Sequence, residues 1–133
     1  MKRVAINHLF ISVVTISFSF LQVSVHAYNY RKIQISDDME MIQLSEKVYV
    51  HVSISEIAGF GKVSSNGLIF VNGDEAFLFD TPVTNSQTEN LVKWITDSLF
   101  TVISTFVPTH WHDDCLGGLE YLHSIGKNHT PIK

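Results

Sequence analysis

Between Ile33 and Val107 the chain is built of short β-branched and aromatic segments separated by turn residues, and one stretch in that span has helical periodicity. That alternation restricts the fold to α/β or α+β with buried strands. Residues 33–35 and 39–44 read as short strands on either side of Ser36-Asp37-Asp38, and residues 48–54 as a third. Gly59 and Gly61 bracket Phe60, the pattern of a mobile hairpin tip. Residues 67–71 and 75–80 flank Asn72-Gly73-Asp74, a strong hairpin signal. The unbroken apolar run from Leu68 to Val71 predicts a strand covered on both faces. Thr81-Pro82 ends that hairpin, and a helix opens at Asn85 with Leu91, Val92, Ile95 and Leu99 on one stripe and Trp94 beside it. Residues 102–107 predict another buried strand, stopped by Pro108, and a second helix starts at Leu119 and closes at Gly126.

With 133 residues there is room for one small domain. Lys+Arg 9 against Asp+Glu 13 gives a net charge of −4, without the basic excess of a nucleic-acid binder. A single cysteine, Cys115, excludes both a disulfide-stapled scaffold and a cysteine-rich zinc finger. The seven histidines are the outlying feature of the composition.

The first 27 residues read as an address. Lys2-Arg3 leads into an uncharged apolar run of roughly 13 residues, Leu9 to Leu21, and Val25-His26-Ala27 has the small or apolar residues of a cleavage site. Gln22, Ser24 and His26 interrupt the run well short of the ~20 residues of a transmembrane anchor. The expectation is therefore a signal peptide over residues 1–27, a mature chain beginning near Tyr28, no stable membrane anchor after cleavage, and export to a bacterial periplasm.

His110, His112 and Asp114 fall at alternate positions directly after the strand of residues 102–107. In extended backbone such residues share one side, so two imidazoles and a carboxylate can converge. That donor set suits Zn²⁺ best, with iron or manganese as lesser possibilities. Gly117-Gly118 then allows a close backbone approach before the next helix. A strand-to-helix junction of this kind is where α/β proteins hold ligands. His51, inside a strand, reads as structural, and His123 and His129 read as surface residues.

Thr109-His110-Trp111-His112-Asp113-Asp114-Cys115-Leu116-Gly117-Gly118-Leu119 resembles the metal motif of the class B metallo-β-lactamases, in particular the di-zinc subclass of Bacteroides and related bacteria. The likeness extends from about Ile33 to about Gly126. It takes in Glu56-Ile57-Ala58-Gly59-Phe60-Gly61, Leu78-Phe79-Asp80-Thr81-Pro82 and Leu91-Val92-Lys93-Trp94-Ile95. The resemblance implies an α+β fold, the N-terminal half of a four-layer αββα sandwich, over residues 28–133. It also implies hydrolysis of the β-lactam ring of penicillins, cephalosporins and carbapenems by a monomer that holds two zinc ions when complete. His110 and His112 would bind the first zinc and Asp114 the second, at the catalytic centre. Asp80 would fix the metal loop by hydrogen bonds, and Phe60 would sit at the tip of a flap over the antibiotic.

Cys115 stands where hydrolases of the glyoxalase II and lactonase type carry a histidine, which disfavours that branch. It is not the family's zinc-binding cysteine either, and reads as a partly buried small side chain. The family's remaining metal ligands belong to a C-terminal half for which this sequence offers no match. The 133-residue chain alone is therefore expected to be inactive. Two other readings fit the same residues: a non-catalytic remnant that binds zinc weakly, and a hydrolase of the same fold acting on a thioester or lactone.

Overall fold

The computed structural model describes residues 30–126, so residues 1–27 and His129 lie outside the described part. Six strands form one sheet in chain order: β1 (Arg31–Ser36), β2 (Met39–Gln43), β3 (Val48–Ile57), β4 (Gly61–Asn72), β5 (Glu75–Phe79) and β6 (Val102–Val107). The first five pair antiparallel through tight connections, and β5 pairs with β6 in parallel. A parallel neighbour needs a crossover, and the helix α1 (Asn85–Leu99) supplies it. Two short helices follow β6, α2 (Asp113–Leu116) and α3 (Leu119–Ser124).

Thr84 caps α1 from extended backbone, its hydroxyl accepting the Gln87 N–H at 3.2 Å. The Leu91 and Ile95 stripe is wholly buried against Met39, Met41, Tyr49, Ile69, Leu78 and Phe106. Each such aliphatic side chain contributes about 2 kcal/mol by leaving water. Gln87 is buried on the same helix and donates to the Asp38 carboxylate at 2.8 Å and the Ile54 carbonyl at 2.9 Å, tying α1 to the β1–β2 turn and β3. Asn85 bonds Glu120 and the Tyr121 N–H, holding α3 beside the start of α1.

The described residues thus make two layers, a sheet with helices on one face. On the other face Phe70 and Val102 stay exposed, and Phe77 beside Phe70 is half-buried. This corrects the expectation of a strand covered on both faces for residues 68–71. Ile69 is buried under α1, whereas Phe70 points to the uncovered side. In β6 the buried residues are Ile103 and Phe106, three apart because the pairing with β5 shifts register between them. An apolar run reports two apolar environments, and here one of them is an open sheet face.

The flap is more regular than the two glycines imply. β3 and β4 stay paired up to Ile57 opposite Gly61, which leaves Ala58, Gly59 and Phe60 as the turn. Gly59 at φ 85°, inside the turn, and Gly61 at φ 74°, just after it, take left-handed conformations that glycine adopts without strain.

Candidate metal centre

The C-terminal ends of the parallel pair β5 and β6 lie side by side, and the two loops that leave them build the site. After β5 comes Asp80, a non-glycine residue at φ 59°. Its N–H donates to the Val107 carbonyl at 3.1 Å, at the end of β6. Its carboxylate accepts from the Thr109 N–H at 2.7 Å and the Thr109 hydroxyl at 2.8 Å. Thr81 grips the far end of the same loop. Its N–H and hydroxyl both donate to the Cys115 carbonyl, at 2.9 and 3.0 Å, and its hydroxyl oxygen accepts the Gly118 N–H at 2.9 Å. Asp80 and Thr81 therefore hold residues 109 and 115–118 from behind and leave 110–114 facing outward.

Gly117 and Gly118 serve close approach rather than unusual backbone angles. A Cβ at Gly117 would overlap the Val83 carbonyl, and one at Gly118 would overlap the Thr88 side chain, which is itself buried in α1. The pair lets the metal loop lie directly on the start of α1.

His110, His112 and Asp114 present ligand atoms that all lie within 4.8 Å of one another. The convergence does not come from extended backbone, as the alternate spacing predicts. Residues 109–112 bend after β6, His112 is the N-cap of α2, and Asp114 lies in the first turn of that helix. His110 and Asp114 meet as an i, i+4 pair across this bend, with Nε2 and Oδ1 3.3 Å apart. The two imidazoles stack edge-on with centroids 4.9 Å apart. All three side chains reach solvent, and the nitrogen, nitrogen and oxygen donors fit a zinc-type ion.

Cys115 is more deeply placed than its sequence context implies, at 2% exposure. Its Sγ lies 3.0 Å from His110 Nδ1 and 3.8 Å from the Thr109 hydroxyl. Burial pushes the thiol up to about 11, with a smaller opposing pull from Thr109, so the sulfur is a neutral packing group at neutral pH.

Phe60, 82% exposed at the flap turn, and Trp111, 80% exposed on the metal loop, both line a groove of about 920 Å³. His112, Asp113 and Asp114 line it from the metal loop, and Ser55 and Ser65 from β3 and β4. Asp80 is not among the lining residues; it acts on the site through Thr109. Three contributors were not singled out from the sequence: Thr81, Thr109 and Trp111. Thr109 and Trp111 flank His110, so their neighbourhood pointed to them. Thr81 acts through a fold-dependent contact with Cys115. His123 is exposed on α3, away from this groove.

This mixed sheet backed by helices is similar to part of the fold of solved metallo-β-lactamases. One from Erythrobacter litoralis, with β-mercaptoethanol in its active site, superposes with a TM-score of 0.70 at 36% identity, over 74% of this chain and 43% of that one. Another from the same organism, in a mono-zinc form, gives a TM-score of 0.66 at 37% identity over 73% and 45%. No protein-family model matches the chain. A curated metallo-β-lactamase type 2 of Bacteroides fragilis is 53% identical over 96 residues, which is 72% of this chain and 39% of that protein. The chain belongs to the metallo-β-lactamase family, carries part of its fold, and spans about two-fifths of the length of that relative.

Proposed function

We propose that this chain is the part of a zinc-dependent β-lactam hydrolase that carries His110, His112 and Asp114 as metal ligands and closes over the antibiotic with Phe60. The observation that carries the reading is the convergence of those three donor groups within 4.8 Å, with His112 and Asp114 lining the groove that Phe60 and Trp111 also line. Zinc held there would polarise the lactam carbonyl and lower the pKa of the attacking water.

The chain's own residues do the rest. His110 and His112 offer nitrogen donors, and Asp114 offers the carboxylate that belongs to a second zinc position. Asp80 holds the loop through Thr109, so the imidazoles are presented in one orientation. Phe60 and Trp111 offer apolar surface to the side groups of penicillins, cephalosporins and carbapenems. The apolar N-terminal segment supports export to the periplasm, with cleavage after Ala27.

Three donors divided between two metal positions leave each zinc short of four ligands. The 133-residue chain alone is therefore expected to bind zinc weakly and to leave a chromogenic cephalosporin intact. Grafted in place of the matching part of the Bacteroides fragilis enzyme, residues 30–126 are expected to support zinc-dependent hydrolysis that His112→Ala or Asp114→Asn abolishes. Hydrolysis that survives those substitutions, or that persists in strong chelator, would refute the assignment.

A further inference from the structure

His51 lies on β3, with β4 and β5 between it and the strand that leads into the metal loop, yet hydrogen bonds join it to that loop. Its cross-strand partner on β4 is Gly67, and a Cβ there would overlap both the imidazole and the Phe79 carbonyl. The missing side chain is a slot through which the ring reaches across β4 to the end of β5. There Nε2 lies 3.1 Å from the Asp80 carbonyl. A carbonyl only accepts, so Nε2 carries the proton and donates. Asp80 is the left-handed residue whose carboxylate takes both the N–H and the hydroxyl of Thr109, the residue before His110.

We propose that His51 is a positioning residue for the metal loop: by holding the Asp80 carbonyl it fixes the left-handed turn that aims the Asp80 carboxylate at Thr109, and so sets how His110 is presented. The link to metal binding rests on the reading of His110, His112 and Asp114 as ligands; the link to the loop's geometry does not. An imidazole at 1% exposure is an expensive way to fill space. A leucine would pack the interior at less cost, but it could not hold the carbonyl. Outer hydrogen bonds of this kind change metal affinity by about 10–100-fold when they act one bond from a ligand. His51 acts further back, so the lower end of that range applies.

The test compares the full chain with His51→Leu, which fills the space without a donor, and with His51→Gln, whose amide nitrogen reaches the same carbonyl. Amide hydrogen exchange is followed by NMR, and zinc affinity by competition with a chromophoric chelator. In His51→Leu the Thr109 amide is expected to exchange about tenfold faster than in the wild type, with Met41 in β2 unchanged, and zinc binding is expected to weaken about tenfold. His51→Gln is expected to restore both. Unchanged Thr109 exchange in His51→Leu overturns the proposal, and so does unchanged zinc affinity where the wild type binds zinc. A wild-type chain that binds no zinc counts against the ligand assignment, while the exchange comparison still decides the role of His51. If His51→Leu does not fold, the urea dependence of exchange in the unaltered chain decides it. The Thr109 amide and the His51 Nε2 proton opening with one free energy support the coupling, and two separate openings overturn it.

Discussion

Taking the protein from pH 7 to pH 4 should remove about 3 kcal/mol of stability through His51. Burial pushes this imidazole from 6.5 down to about 4, outweighing the upward pulls of the Asp80 and Phe79 backbone and of the Asp80 charge. Above pH 6.5 the ring is neutral in the folded and the unfolded chain, so it adds no pH dependence there. Below 6.5 the unfolded chain takes up a proton that the folded chain refuses. Stability then falls as the pH falls, with a slope approaching 1.4 kcal/mol per pH unit until about pH 4, where the folded ring also protonates. Urea unfolding at pH 7, 6, 5 and 4, followed by the fluorescence of Trp94, measures the curve. His51→Gln provides the reference, because glutamine does not titrate while its amide reaches the same carbonyl. The wild-type curve is expected to drop below the variant's by about 3 kcal/mol over this range. Parallel curves for the two chains would refute the claim that the buried, neutral imidazole governs acid stability.

Gly117→Ala drives a Cβ into the Val83 carbonyl, and backbone cannot rotate away as a side chain can, so a loss of about 2–3 kcal/mol is expected in denaturant unfolding. An unchanged midpoint would mean that the metal loop does not rest on the Val83 backbone ahead of α1. Phe100 caps α1 at φ 54° with 84% of its surface exposed, so Phe100→Gly removes strain at little cost in burial and should raise stability by about 0.5–1 kcal/mol. Lower stability in thermal unfolding would contradict this. The Cys115 thiol, raised to about 11 by burial, adds an alkaline limb: stability falls as pH rises from 9 towards 11, because only the unfolded chain releases the proton. Cys115→Ala should flatten that limb, measured by the same unfolding curves.

Much of the fold was legible in local pattern. Asn72-Gly73, the α1 stripe of Leu91 and Ile95, and Pro108 after β6 each fix an element through chemistry within a few residues. The site's residue types were legible for the same reason, since His110, His112 and Asp114 lie close together in sequence. Their geometry was not. Alternate spacing describes a strand, whereas Asp80 and Thr81, some thirty residues earlier, bend the segment into a turn of helix. The deep setting of Cys115 and the slot that Gly67 opens for His51 were hidden likewise, because each depends on which strands become neighbours. The single-sided cover of residues 68–71 also lay beyond local pattern, which does not distinguish a face packed under a helix from one left open.

The paired flap has a mechanical consequence. Beyond Ser53 on β3 there is no β2 register partner, and β4 meets β5 only from Leu68 onward, so the ribbon from Ser55 to the turn is two strands standing alone. At ~3.4 Å per residue it is a ribbon roughly 10 Å long, held by its own ladder and by no third strand. A tilt of about 20° where it leaves the sheet would carry the turn through some 3–4 Å, roughly the thickness of an aromatic ring. Such a tilt would move Phe60 relative to the metal loop while leaving every β3–β4 pair intact.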